Sequence, residues 1–188
     1  MACDIVIVAP DNDPCAFQTV KVGKQLVGFL IQDMRATPLP TPITLASIQA
    51  ALTDPDYPMR IIKNLAASTV AEPTDQVLTG NDVPYGTSEL TDRTRTLSGR
   101  MQYLTPADVE VNNGLNRNQS PKRVYSFDDL NATQGPYDNS SVVVGGYLRP
   151  GAGTNQKNSQ LITVTHNGLD EPKIGVPIPG IAALVNAA

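Results

Sequence analysis

The feature that most restricts the fold is a long threonine-rich run in the middle of the chain, TSELTDRTRTLSGRMQYL, from Thr87 to Leu104. Threonine recurs at every second or third position of its first half, and apolar residues gather only from Leu97 onward. Threonine favours extended backbone without adding hydrophobicity. The run predicts a strand that is anchored in a core from about Leu97. Its first half is predicted to project beyond the domain, as a strand or hairpin over about 83–104.

The rest of the chain is also predicted to be mainly β. Segments rich in β-branched and aromatic residues recur, and turns and prolines separate them. Proline makes up 16 of the 188 residues, well above the usual ~5%. Besides the threonine-rich run, strands are predicted within residues 4–10, 16–34, 60–80, 123–127, 141–149 and 160–166.

Two short helices are predicted between these strands. Pro38, Pro40 and Pro42 favour an extended connector, which leads into a helix over about 44–53 with Thr44 as its N-cap. A second helical turn is expected to begin at Thr105, because proline follows it at the first helical position, and to end at residues 112–114.

This tally predicts one mainly β domain over residues 1–172. The expected architecture is a β-sandwich or barrel-like domain of about eight or nine short strands, with one or two short helices. Helix and strand do not alternate as they do in a doubly wound sheet. Residues 173–188 are predicted to form an extended, apolar C-terminal arm, because many aliphatic residues occur there in a proline-broken segment.

The sequence predicts no enzyme, no cofactor and no metal site. His166 is the one histidine, and we interpret it as a surface residue before a turn. A zinc site would need several converging His and Cys side chains. The aspartate pairs Asp54/Asp56 and Asp128/Asp129 are interpreted as turn formers, because neither has the spacing of a calcium loop.

The charge pattern bears on partners and location. The formal net charge is −4, and no basic cluster with interleaved aromatic residues occurs, so sequence-specific nucleic-acid binding is not expected. The start, MACDIVIVAP, resembles neither a secretory signal nor a membrane span. Cys3 and Cys15 are therefore predicted to be free thiols.

The polar first half of the long strand and the apolar C-terminal segment together suggest assembly. Charged residues make up 17% of the chain, against roughly 25% in typical domains, and such a surface loses less on being covered. The candidate interface residues are Glu89, Thr91, Asp92, Arg93, Arg95, Ile174, Val176, Ile178, Ile181, Leu184 and Val185.

These features resemble the structural proteins of tailed bacteriophages, such as tail-tube and neck subunits. The resemblance lies in the MAC start, the helix inside a β domain, the stretch ELTDRTRTLSGRMQYL and the apolar end. It implies a virion protein that joins copies of itself and other virion proteins into rings around a channel for DNA. An acidic subunit is compatible with a lumen to which DNA does not adhere.

Other functions stay open at this stage. An auxiliary capsid protein on the phage head is the alternative within assembly, and a monomeric glycan- or peptide-binding β module is the alternative of another class. An enzyme is the third alternative.

Overall fold

The structure, a computed structural model, describes residues 25–78, 89–102, 104–118, 120–146, 159–170 and 172–186. The predicted strand at 4–10, Cys3 and Cys15 lie outside these residues. The described elements are β1 (Leu26–Asp33), α1 (Leu45–Leu52), β2 (Arg60–Ile62), β3 (Leu65–Val70), β4 (Thr74–Leu78), β5 (Glu89–Gln102), α2 (Pro106–Arg117), β6 (Lys122–Asp128), β7 (Thr133–Val144), β8 (Ser159–Asn167) and a 3-10 turn (Ile181–Ala183).

The eight described strands form one antiparallel sheet, so the prediction of a mainly β fold is confirmed. Its order is β2-β1-β6-β7-β8-β5-β3, and β4 pairs with β5 beside this path. The strands at the two ends of the order, β2 and β3, are separated only by Lys63 and Asn64, and the φ of Asn64 is +60°. The Ser68 hydroxyl of β3 donates to the Leu26 carbonyl of β1 at 2.7 Å. The sheet therefore curves back on itself in a barrel-like manner.

The inner face of this curved sheet holds one apolar cluster. All seven strands of the path contribute to it. Its buried members are Phe29, Ile31, Ile62, Leu65, Leu97, Met101, Val124, Tyr137, Val142, Val144, Ile162 and Val164.

A second apolar cluster lies on the outer face of β1, β2 and β6, and α1 covers it. Thr44 is the N-cap, as predicted: its hydroxyl accepts from the Ser47 N–H at 3.2 Å, and the Ser47 hydroxyl accepts from the Thr44 N–H at 3.1 Å. Ile48 and Leu52 of α1 are buried in this cluster. The sheet is thus packed on both faces here, since Phe29 and Ile31 point inward while Leu30 points outward.

Helix α2 begins at Pro106, as predicted, but its predicted end at 112–114 is wrong. The helix runs through Gly114 to Arg117. Tertiary contacts explain the continuation, because Leu115 packs against the inner cluster. The Asn116 side chain also donates to the Val144 carbonyl at 2.6 Å and accepts from the Val144 N–H at 2.8 Å. These contacts outweigh the helix-breaking tendency of an Asn-Asn-Gly sequence.

Candidate assembly surfaces

A two-stranded projection extends from the closed part of the sheet; we call it the ribbon and define it as residues 71–78 with 89–94. Strand β4 pairs there with the first half of β5, from Thr74 opposite Thr94 to Leu78 opposite Glu89. Every residue of β4 is exposed. On the other side of β5, pairing with β8 reaches only Thr94, with one further hydrogen bond from the Gly168 N–H to the Arg93 carbonyl. Among the described residues, both edges of the ribbon beyond this point are open.

The ribbon exposes aliphatic side chains that belong to neither apolar cluster of the described domain. Val77 is 49% exposed, Leu78 42% and Leu90 37%, and Val77 lies opposite Leu90. A two-stranded ribbon alone in water is only marginally stable. Open strand edges also invite pairing with another chain. The sequence analysis did not select Val77, Leu78 or Leu90, although they lie in segments that it predicted to be strands.

The sequence-predicted residues of β5 have different roles in the structure. Arg93 forms an ion pair with Asp75 of β4, its Nη2 lying 3.1 Å from the Asp75 Oδ2, and these hydrogen bonds lower the pKa of the Asp75 carboxyl. Thr91 is exposed, and its hydroxyl donates to the Gln76 carbonyl at 3.1 Å. The first half of the strand thus has a partner within its own chain, which the sequence analysis had not assigned.

Arg95 does not fit the prediction of an interface residue. It is only 6% exposed, because it lies on the inward-facing side of β5 together with Leu97. Its guanidinium donates to the Gly168 carbonyl at 2.6 Å. Arg95 therefore fixes the base of the ribbon to the end of β8.

The C-terminal segment 172–186, here called the strap, packs on its own domain. Ile178 is 6% exposed, Ile181 0% and Leu184 9%, and all three belong to the outer cluster with α1. In the single chain these three residues belong to the domain's own core, and their assembly role stays a prediction. The 3-10 turn Ile181–Ala183 lies in this segment, and the buried residues recur at every third position from Ile178 to Leu184.

Hydrogen bonds also hold the strap on the domain. Lys63 Nζ donates to the Ala182 carbonyl at 3.2 Å and to the Leu184 carbonyl at 2.5 Å. The Asn186 side chain accepts from the Ile61 N–H at 2.7 Å and donates to the Ile61 carbonyl at 3.1 Å, as a neighbouring strand would. Each satisfied backbone group of this kind contributes about 0.5–1.5 kcal/mol.

The other strap residues of the predicted interface are exposed, with Ile174 at 49%, Val176 at 63% and Val185 at 68%. Ile174 and Val176 lie at a groove of ≈ 710 Å³, here called the proline groove. One wall is the proline connector that precedes α1, and the other is formed by residues 168–170 and 172–176. The lining residues are Pro38, Leu39, Thr41, Pro42, Ile43, Arg123, Tyr125, Thr133, Gly135, Pro136, Asp138, His166, Gly168, Leu169, Asp170, Pro172, Lys173, Ile174, Gly175 and Val176.

Asp138 of the proline groove has contacts with two other lining residues, Arg123 and His166. Arg123 Nε donates to Asp138 Oδ1 at 2.7 Å. His166 is only 9% exposed, and its Nδ1 lies 2.7 Å from the Asp138 carbonyl oxygen. The interpretation of His166 as a surface residue is therefore wrong, because β8 carries its ring inward against Tyr137. Burial raises the pKa of the Tyr125 phenol.

The described residues contain no group of three His, Cys, Asp or Glu side chains arranged to hold a metal ion. The aspartates that the sequence analysis interpreted as turn formers accept local backbone hydrogen bonds. Asp54 accepts from the Asp56 and Tyr57 N–H groups, and Asp128 accepts from the Leu130 and Ala132 N–H groups. In the part of the chain that the structure describes, no helix has both the length and the apolar character needed to cross a membrane.

The chain is similar to chains in two solved structures of gene transfer agent (GTA) particles. One, from the virion of a native GTA particle, is 14% identical with a TM-score of 0.38, over 63% of this chain and 88% of that chain. The other, from the tail of an empty GTA particle with C6 symmetry, is 14% identical with a TM-score of 0.42, over 84% and 98%. No family model matches the chain, and no curated protein matches it significantly. Likenesses at these values assign neither a family nor a role.

Proposed function

We propose that this chain is a non-enzymatic structural subunit of a phage-like virion that assembles with copies of itself, and with other virion proteins, into rings or tubes. The proposal of a phage-like particle rests on the resemblance of this sequence to structural proteins of tailed bacteriophages. The tail or neck is the proposed location.

The ribbon is the observation that supports assembly. It projects from the closed sheet with open edges, and all five residues of β4 are exposed. Ordering each backbone residue costs about 1–2 kcal/mol, while a fully buried aliphatic side chain contributes about 1.5–3 kcal/mol. The aliphatic residues of the ribbon are partly exposed in the single chain, so they do not offset that cost there. A partner that covers Val77, Leu78 and Leu90 would supply the missing burial.

The test compares the full chain with a ribbon variant in which Val77 and Leu90 are both replaced by Ser. Sedimentation velocity and electron microscopy should show rings or tubes for the unaltered chain and monomers for the variant. Leu130→Ser is the matched control, because Leu130 is 46% exposed but lies in the turn between β6 and β7. Antibodies against the chain should also label phage-like particles from its source. A chain that stays monomeric at high concentration would contradict the proposal.

The proline groove favours a second candidate, a module that binds an apolar peptide. Ligand sites are typically concave and mostly apolar, with volumes of about 300–1,000 Å³, and this groove measures ≈ 710 Å³. Screening the monomer against a library of extended peptides tests it. An Ile174→Asp variant should then lose any binding that is found.

A further inference from the structure

A second groove lies at the opposite end of the long strand β5 from the ribbon. It has a volume of ≈ 350 Å³, and α2 forms one wall, so we call it the α2 groove. Its lining residues are Arg60, Ile61, Ile62, Lys63, Asn64, Met101, Gln102, Leu104, Asp108, Val111, Asn112, Leu115, Val185 and Asn186. Resting on the proposed function, we propose that the α2 groove of one copy receives the ribbon of a second copy.

The apolar residues of the two surfaces suit each other. Val185 is 68% exposed and Val111 36% exposed at the α2 groove. Leu104 and Leu115 line it and are only partly buried. The groove is small enough for a few aliphatic side chains to fill it. The ribbon presents two such side chains, Val77 and Leu90, opposite each other on one of its faces.

The charges are complementary as well. The ribbon carries four carboxylates, from Glu72, Asp75, Glu89 and Asp92, against the single guanidinium of Arg93. Asp75 is paired with Arg93, whereas no ion pair within the described residues involves Glu72 or Asp92.

The α2 groove has the opposite charge balance. Arg60 and Lys63 line it, and Arg60 forms no ion pair within the described residues. The one acidic lining residue, Asp108, accepts from the Thr105 N–H at 2.8 Å at the start of α2. The positive end of the helix dipole offsets the charge of a carboxylate in this position. Arg60 is therefore a free cation available to a carboxylate of the ribbon.

The placement of the two surfaces sets the geometry of assembly. Met101 lies eleven positions after Leu90 in the same strand. At the rise of an antiparallel strand, this corresponds to roughly 35 Å along the strand. A contact between two different surfaces is heterologous, so it propagates into a ring or a filament instead of stopping at a dimer. Each copy would then offer a ribbon at one end and a groove at the other.

Complementation of variants tests this arrangement. Arg60→Glu disables the groove, and the double variant Glu72→Lys/Asp92→Lys disables the ribbon. Each should raise the concentration needed for assembly by at least roughly tenfold, because each places like charges together. In an equal mixture of the two, the unaltered ribbon meets the unaltered groove and the basic ribbon meets the acidic groove. The mixture should therefore assemble with the two variants alternating, although neither variant assembles alone at that concentration. The triple variant, with both charge signs reversed, should assemble again.

The outcomes separate this inference from the proposed function. Lys173→Glu is the matched control, because Lys173 lines the proline groove, and it should assemble like the unaltered chain. If Lys173→Glu blocks assembly and Arg60→Glu does not, the ribbon docks in the proline groove and the inference is wrong. If both variants assemble normally, the inference is also wrong, while the proposed function stands. If the unaltered chain never assembles, both fail. Assembly of the mixture itself shows that the variants are folded.

Discussion

The ribbon and the strap differ in what surrounds their apolar residues, although the sequence suggests assembly for both. Ile178, Ile181 and Leu184 of the strap are buried under α1, whereas Val77, Leu78 and Leu90 of the ribbon are exposed. The strap is rich in aliphatic residues and finds a complementary surface within the domain. The ribbon is too polar to pack against its own core, so its few aliphatic residues remain outside. The number of apolar residues in a terminal segment therefore predicts burial, without indicating which copy supplies the surface.

Removing most of the strap should have the largest effect on the stability of the single chain. A chain that ends at residue 176 loses three buried aliphatic side chains, each contributing about 1.5–3 kcal/mol. It also loses the hydrogen bonds of Lys63 and Asn186 to this segment. Against a total stability of about 5–15 kcal/mol, we expect an unfolded or insoluble chain, visible by circular dichroism. A folded, soluble truncation product would mean that the strap is an accessory, as the sequence alone had predicted.

Single substitutions within the strap sharpen the comparison. Ile181→Ala should lower the free energy of unfolding by about 2–5 kcal/mol, because Ile181 is fully buried and its removal leaves a cavity. Val185→Ala is the matched change at an exposed site and should cost less than about 0.5 kcal/mol. Urea denaturation of the two variants measures the difference. Equal losses of stability would show that the strap does not bury Ile181 while leaving Val185 exposed.

An ion pair of the domain and one of the ribbon should respond differently to acid. Hydrogen bonds from Arg35, and further from Lys122, hold the pKa of Asp33 well below its usual range. In the ribbon, hydrogen bonds from Arg93 likewise lower the pKa of the Asp75 carboxyl. A lowered carboxyl pKa adds stability above the unfolded-state value of about 3.9. This contribution is lost as the pH falls from there through the folded-state pKa.

Asp33→Asn should therefore cost about 1–3 kcal/mol at pH 7, because Lys122 is buried and loses its carboxylate. It should also flatten the fall of stability below about pH 4. Asp75→Asn should leave the thermal midpoint of the monomer unchanged. Thermal unfolding followed between pH 2 and pH 7 measures both variants. A clear drop for Asp75→Asn would mean that the ribbon unfolds together with the domain.

The sequence predicts the elements of this fold better than it predicts their partners. The capping pattern at Thr44 is a local signal, and the structure confirms it. The pairing of β4 with the first half of β5 joins segments that are not adjacent in the sequence, and a polar strand has no apolar stripe to reveal its neighbour. The predicted end of α2 was wrong for a similar reason, because the contacts of Leu115 and Asn116 with the sheet are long-range.

The candidate surfaces show the same limit. The aliphatic residues of the strap were identified from composition, but a proline-broken segment has no period from which to read an inward face. Ile174, Val176 and Val185 therefore could not be separated from Ile178, Ile181 and Leu184 by pattern alone. Pro38, Pro40 and Pro42 predicted an extended connector, and only the fold shows that it forms one wall of a groove with residues 168–170 and 172–176.

Breaking β4 should have the smallest effect on the single chain. Gln76→Pro removes a backbone donor and is incompatible with a regular strand interior. Gln76 is exposed and β4 lies beside the path that closes the sheet. We therefore expect the free energy of unfolding of the monomer to change by less than about 1 kcal/mol, while assembly is lost. Thr163→Pro in β8, which pairs with neighbours on both sides, should unfold the domain.

Hydrogen exchange gives the same comparison without a substitution. In the free monomer, the amides of β4 should exchange far faster than those at the centre of β8, because opening the ribbon exposes little apolar surface. In the assembly, the ribbon amides should become protected, while those of β8 should stay as they were. If the amides of β4 are as protected in the monomer as those of β8, the ribbon is an integral part of the domain. Its exposed aliphatic residues would then no longer support assembly.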